Sequence, residues 1–253
     1  MKTAQEYQKR LQRHLDELKW LYCELYPGRE DMFTQLCEQM EAWYQERPES
    51  EKKLDREREQ EPAWYSRQDM LGMMLYIDAF AGNLKGVKKK LPYLEACNVN
   101  YLHLMPFLDT PKGKSDGGYA VADYRKVQPA LGTMEELASL CSACHEKKMS
   151  VCMDFVMNHT SEDHEWAKRA LAGEKEYQDR YFFYDTPDIP QEFEKTVPQV
   201  FPTTAPGNFT WRDECKKYVM TSFYPYQWDL NYSNPVVFNE MVYNMLYLSL
   251  IHI

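Results

Sequence analysis

Long apolar runs are missing from this chain. Nothing in its 253 residues approaches the roughly 20 consecutive apolar positions of a membrane-spanning helix, so no membrane partner is expected. The first twenty residues, MKTAQEYQKRLQRHLDELKW, hold no apolar secretory core, and the expected location is cytoplasmic. An excess of positive charge is also missing. The 30 Lys and Arg face 39 Asp and Glu, a net charge of −9, and a phosphate-binding face needs clustered cations, so no nucleic-acid partner is expected. Cysteine is scattered and odd in number, at seven, which excludes a disulfide framework. The one CxxC pair, Cys141 and Cys144, has no second pair at zinc spacing. With Leu137 and Leu140 it falls at i, i+3, i+4 and i+7, so both thiols are expected in a buried helical stripe, and no metal site is read.

What is present is enough for a sizeable core: 44% hydrophobic residues and 14% aromatics, over a length that fits one barrel-sized domain or two smaller ones. Residues 1–68 read as helical. Leu11, Leu15, Leu18, Tyr22 and Leu25 form one stripe, Pro27-Gly28 breaks it, and Phe33, Leu36, Cys37, Met40, Trp43 and Tyr44 form the next. Glu46 to Glu61 is dense in both charge signs and reads as a solvated helix or linker.

From Met70 strands and helices alternate. Met73 to Ile77 predicts a first buried strand, and Asn83 caps a helix bearing Leu84, Val87, Leu91 and Leu94, with Pro92 marking a kink. Val99 to Met105 predicts a second strand. The loop Phe107 to Gly132 contains Ser115-Asp116-Gly117-Gly118-Tyr119, whose glycines permit unusual backbone and close ligand approach. Asp116 suits hydroxyl binding and Tyr119 ring stacking; an ordinary Asp-Gly turn is the competing reading. Thr133 and Glu136 predict a capping box at the start of the next helix. The order β-α-β-α-β then gives a parallel sheet and resembles the start of a (β/α)8 barrel.

The chemistry concentrates at Met149 to Thr160, MSVCMDFVMNHT. Val151-Cys152-Met153 predicts a strand buried on both faces, Asp154 sits inside the apolar run, and Asn158-His159 follow its end. A charge there costs several kcal/mol unless partnered, and the partner expected is local backbone or the following loop. Two readings stand: a site at the strand end, or a structural Asp with a surface Asn-His turn. Ser161 to Tyr232 is too long for a simple loop and predicts a small subdomain or lid rich in aromatics, most of which pack its own core. Asn234-Pro235 then opens a helix with Val237, Met241, Asn244, Met245 and Leu248 on one side.

At these positions the chain resembles a known family. Asp154-Phe155-Val156-Met157-Asn158-His159 matches the Asp-x-Val-x-Asn-His motif that follows the third barrel strand of the α-amylase family, glycoside hydrolase family 13. The runs Tyr76 to Gly86, Tyr101 to Pro106, Lys114 to Val121 and Gln227 to Pro235 look like amylosucrases within it, as does the helical N-terminal segment. The resemblance spans about Trp64 to Leu248.

It implies a sucrose-acting retaining α-glucosyltransferase that holds glucose covalently, releases fructose and elongates an α-glucan. On that likeness Asp116 hydrogen-bonds the glucosyl hydroxyls, Tyr119 stacks beneath the ring, and His159 donates to the hydroxyls. Tyr226 stands as an aromatic wall where the family usually has Phe. Asp154 and Asn158 support the loop of the third strand. The Asn matching Asn158 helps bind calcium in many amylases, whereas amylosucrases typically do without, so no cofactor is expected. Sucrose and α-glucan are the expected partners.

A retaining mechanism needs two carboxylates flanking the glycosidic bond. The family's Arg-x-Asp nucleophile on the fourth strand and its acid Glu on the fifth have no counterpart here, and the sequence leaves the family pattern near Ser249. The expectation is an N-terminal portion: a helical domain at 1–68, three β/α units at 69–160, an inserted lid subdomain at 161–232, and at 233–253 a helix leading to a missing fourth strand. Such an incomplete barrel would hold no catalytic residue, would be inactive alone, and would expose sheet edges that lower solubility. A sucrose hydrolase or another α-amylase-family glycosidase, including a calcium-dependent amylase, is the alternative enzyme. A non-catalytic sugar-binding or regulatory chain is the alternative of another class.

Overall fold

The computed structural model describes residues 2–251. Positions 1, 252 and 253, which close the expected helical domain and the expected terminal helix, lie outside them. Among the described residues the strands are β1 Gly72–Leu75, β2 Tyr101–Leu104, β3 Leu108–Asp109, β4 Asp123–Val127, β5 Ser150–Met153, β6 His159–Ser161, β7 Phe183–Tyr184, β8 Phe209–Arg212, β9 Lys217–Met220 and β10 Gln227–Asp229. The residues divide into two compact units. One comprises the chain up to Phe107, Pro129–Asp154 and everything from Asn239; the other comprises Leu108–Gln128 and Phe155–Phe238.

In the first unit β1, β2 and β5 form a three-stranded parallel sheet in that order, with Leu102 opposite Met73 and Val151. Helices supply the crossovers, as parallel strands require, and the arrangement is consistent with part of a (β/α)8 barrel. Among the described residues the sheet does not close. Leu102 and Leu104 are fully buried at its centre. The flanking strands are less buried than their apolar sequences predict: Met74 of β1 is 64% exposed, and β5 is half-buried throughout. Both are edges, so the pattern that suits an interior strand meets a neighbour on one side only. Ile77 leaves the strand and starts a short helix, Ile77–Ala81.

Local signals hold well here. Asn83 Oδ1 accepts from Gly86 N at 2.9 Å and caps Leu84–Lys89. Pro92 does not kink that helix. A second helix, Leu91–Ala96, starts at Lys90 and takes Pro92 into its first turn, where a missing N–H costs nothing. Thr133 Oγ1 accepts from Glu136 N at 3.3 Å, and the Glu136 carboxylate accepts in return from the Thr133 backbone N–H, so the capping box forms, with Lys85 Nζ added at 2.8 Å. Cys141 and Cys144 are fully buried on helix Met134–Glu146, and burial pushes the Cys144 thiol up to about 12.

The N-terminal helices are Lys2–Gln12, Leu15–Leu25, Glu30–Glu46 and Glu49–Gln60. Tyr22 OH donates to Asn239 Oδ1 at 3.0 Å, and Asn239 Nδ2 donates to Met32 O at 3.0 Å, a buried polar tie to helix Pro235–Leu250. The charged stretch after Glu46 is not simply solvated. Glu51 and Lys52 are buried, and Arg47 makes a two-point pair with Asp55 at 2.8 and 3.0 Å.

Asp154 belongs to this unit and lies just past β5. One partner is His103 Nε2 on the neighbouring β2, at 3.0 Å, a residue that the sequence did not point to. Adjacent parallel strands put both side chains at the same sheet end, a proximity that sequence distance hides.

The second unit contains a short β3–β4 hairpin, the antiparallel pair β6–β10 and a three-stranded antiparallel sheet ordered β7-β9-β8. Its core is aromatic. Trp228 is fully buried with the rings of Tyr181 and Phe183 edge-on, each 5.5 Å away. Thr160 Oγ1 and Tyr181 OH share a hydrogen bond of 2.7 Å beneath them.

Candidate sugar-binding site

The second unit gathers most of the residues singled out in the sequence. The turn at 116–118 comes first. Asp116 has φ +48°, and Gly117 and Gly118 have φ +65° and +100°, so three successive residues adopt backbone that side chains disfavour. Glycine meets this without penalty and Asp tolerates it. Ser115 O closes the turn by accepting from Gly118 N and Ala120 N, both at 3.0 Å.

His159 opens β6 and is buried. Tyr124 OH fixes the backbone around it, donating to Val156 O at 2.8 Å and lying 3.1 Å from His159 O. The Phe223 ring packs against the imidazole at 5.0 Å. Asn158 Nδ2 lies 3.2 Å from His159 Nδ1 and donates to Asp229 Oδ1 at 2.7 Å. Ser222 N donates to the other oxygen, Oδ2, at 2.6 Å. The carboxylate can only accept, so Asn158 presents its NH2 group on this side. Nδ1 of His159 must therefore accept, and the ring proton sits on Nε2, which faces Tyr119 O at 3.2 Å.

Gln227 completes the arrangement. It is fully buried on β10, and its Oε1 accepts from Tyr224 N at 3.0 Å, which fixes the amide orientation. Its Nε2 donates to Asp116 Oδ2 at 3.0 Å and lies 3.0 Å from His159 Nε2. Two donors thus face each other, Gln227 N–H and His159 Nε2–H, beside a carboxylate acceptor. Burial holds His159 below the ordinary histidine value, against the opposing pull of Asp229, the Tyr119 carbonyl and Asp116. The ring is neutral at neutral pH.

Tyr119 is half-buried, and its carbonyl faces the imidazole. Tyr226 stacks on Tyr224, ring centroids 5.2 Å apart and planes 2° from parallel, and its phenol is pushed up by burial and by the charge of Asp116. Asp154 lies in the first unit, 3.0 Å from His103 Nε2. The sequence assigns no role to Gln227 or Asp229, and Phe223 reads there only as one of the aromatics of the 161–232 excursion. An uncharged amide carries no sequence signal of its own; its partner Asp116 lies 111 positions away.

Calcium was weighed for the site because of Asn158. Among the described residues no three His, Cys, Asp or Glu side chains come together to hold a metal ion. Asn158 also turns its NH2 group, which cannot ligate a cation, toward Asp229.

The family model for the alpha amylase catalytic domain matches residues 39–250. A trehalose synthase of Pimelobacter sp. (strain R48) is 35% identical over 167 residues, covering 66% of this chain and 28% of that protein. An alpha-glucosidase of Apis mellifera is 36% identical over 165 residues, covering 63% and 28%. Among solved structures, a MutB mutant in complex with the substrate sucrose aligns with TM-score 0.63 at 27% identity, over 75% of this chain and 34% of that one. The isomaltulose synthase SmuA of Protaminobacter rubrum aligns with TM-score 0.62 at 26% identity, over 72% and 33%. The chain therefore spans about 28% of the length of these curated relatives.

Proposed function

This chain belongs to the alpha-amylase family, and from that premise we propose that it supplies the glucose-recognising end of a retaining α-glucosyl site. The observation that carries the reading is the bridge from Asp116 through Gln227 to His159. A sugar hydroxyl is at once donor and acceptor. Its oxygen can accept from His159 Nε2–H and Gln227 Nε2–H, and its proton can go to Asp116. Binding would replace a contact between two donors by satisfied hydrogen bonds, and charge-assisted bonds of this kind are worth about 1.5–3 kcal/mol each. The Asp116 carboxylate is fixed before the sugar arrives, and its bond from a sugar hydroxyl strengthens as positive charge develops on the glucosyl ring. Tyr119 and Tyr226 offer aromatic faces for the ring itself.

Sucrose is the proposed substrate. The amylosucrase-like runs Lys114 to Val121 and Gln227 to Pro235 support it, as does the sucrose complex of the relative MutB. The proposed reaction of the whole protein carrying this segment is glucosyl transfer from sucrose to an α-glucan with release of fructose. In this reading residues 161–232 act as a lid, and the reacting carboxylates are not among the residues of this chain. Hydrolysis of sucrose or another α-glucoside is the second reading, favoured by the likeness to the Apis mellifera alpha-glucosidase.

The test is titration of the 15N-labelled chain with sucrose and with methyl α-glucoside. The expected result is saturable movement of the His159 ring and Gln227 side-chain resonances, lost in Asp116→Ala. Resonances that stay still, or move equally in Asp116→Ala, would remove the reading.

A further inference from the structure

The first unit carries a cleft of about 620 Å3, within the 300–1,000 Å3 range of small-molecule sites and lined by none of the residues placed in the sugar site. It opens beside the starts of β2 and β5. Its charges nearly all pair among themselves. Lys53 lies 3.7 Å from Glu57, Arg67 lies 3.4 Å from Glu61, and Glu51 lies 3.3 Å from His145 and 3.9 Å from Arg47. Two lining cations, Arg58 and Lys148, make no ion pair among the described residues.

Arg58 is half-buried. Its guanidinium lies over the Trp64 indole, 3.9 Å from the centroid, and Nη2 donates to Ser150 Oγ at 2.9 Å. Burial works against its charge, with Asp55 and Glu51 too weakly placed to restore it. A desolvated guanidinium with no carboxylate at ion-pair distance among the described residues is a good anion acceptor, and its planar fork suits phosphate oxygens. Lys148 is exposed at the rim with φ +57°, a backbone that glycine would adopt at lower cost. Trp64, Met70 and Met149 give the same cleft an apolar wall.

We propose that this cleft binds a small phosphate monoester with an apolar or aromatic carrier: Arg58 and Lys148 take the dianion, and Trp64 and the methionines take the carrier. Two cations without an ion-pair partner among the described residues can each take oxygens of a monoester dianion at neutral pH. The site is independent of the sugar reading.

The probe is phenyl phosphate, with inorganic phosphate and sodium chloride at matched ionic strength as comparisons, read by calorimetric titration and thermal unfolding of the chain. A saturable rise in Tm with phenyl phosphate is expected, larger than with inorganic phosphate. Arg58→Gln should weaken binding at least tenfold. Lys148→Gln, at an exposed position that leaves the fold intact, should weaken it several-fold. Trp64→Leu should weaken phenyl phosphate selectively and leave inorganic phosphate unchanged. The proposal is overturned if sodium chloride gives the same rise, if phenyl phosphate gives none, or if Lys148→Gln binds as tightly as the parent chain.

Discussion

Asn158 donates its side-chain amide to Asp229 Oδ1 at 2.7 Å, joining residues 71 positions apart. Asp229 is buried at 5% exposure, so the donors it meets replace water that it has lost. Asn158→Ala removes one donor and leaves Ser222 N alone on that carboxylate. The expected loss is about 1–3 kcal/mol, the penalty for an under-satisfied buried group, or roughly 2–4 °C in Tm per kcal/mol at this chain length. Asn158→Asp should cost more at neutral pH and recover partly in acid, because it sets two carboxylates against each other. Thermal unfolding at two pH values checks this; an unchanged Tm for both variants would show that the contact carries no weight.

The pH dependence of sugar binding follows from the same cluster. A second proton on His159 would go to Nδ1, which faces the Asn158 amide and has no acceptor there. Burial holds the folded pKa below the ordinary value of 6.5, so the unfolded chain takes up the proton first as pH falls. The stability contributed by neutral His159 is therefore complete above 6.5 and is lost as pH falls through and below that value. Sugar affinity should be flat at neutral pH and decline in acid. In Asn158→Asp the added carboxylate should raise the His159 pKa and shift that decline upward. Titration of the His159 ring resonances would decide it, and a pKa unmoved in Asn158→Asp would contradict the assignment.

Sequence showed best those features whose causes are local. The Asn83 cap, the buried Cys141–Cys144 stripe and the glycine turn after Asp116 depend on residues within a few positions of one another. The strand order was legible because alternating strands and helices leave few right-handed topologies. What escaped depends on distant partners. Glu136 adds Lys85, 51 positions away, to its capping box, and Asp154 meets His103, also 51 away. Lys52 is buried although the stretch around it reads as solvated. Of the candidate site, Asp116, Tyr119, Asn158, His159 and Tyr226 could be named from a family likeness. Gln227, which ties Asp116 to His159, could not, since a neutral amide gains meaning only from what it touches.

His164 offers a second pH test, separate from the sugar residues. Its Nδ1 accepts from Trp166 N at 3.1 Å and caps helix Glu165–Leu171. Burial lowers its pKa to about 4, helped by the charges of Arg180 and Lys168. The folded value lies below the unfolded one, so stability is fully present above pH 6.5 and falls between there and about 4. The loss is on the order of 3 kcal/mol across that window. His164→Asn retains a capping side chain without the titration. Urea midpoints of the two proteins should diverge at neutral pH and converge in acid; a difference independent of pH would refute the assignment.

Gly86 makes the sharpest packing prediction. It lies in helix Leu84–Lys89, where Gly→Ala ordinarily stabilises by up to about 1 kcal/mol. Here a Cβ would fall 2.0 Å from Ala81 O and 3.0 Å from Ala81 C. The obstacle is backbone, so no side chain can swing aside, and the turn Ala81-Gly82-Asn83 would have to open. That movement would disturb the Asn83 cap, whose acceptor meets Gly86 N itself at 2.9 Å. The sign therefore reverses, with an expected cost of about 1–3 kcal/mol from overpacking. Gly113→Ala is the comparison: it has φ +79° but an added Cβ meets nothing within 4 Å, so only the backbone penalty of about 1 kcal/mol applies. Thermal unfolding of the two variants should place Gly86→Ala below Gly113→Ala. If Gly86→Ala is the more stable of the two, the close approach of Ala81 to Gly86 is not what selects glycine there.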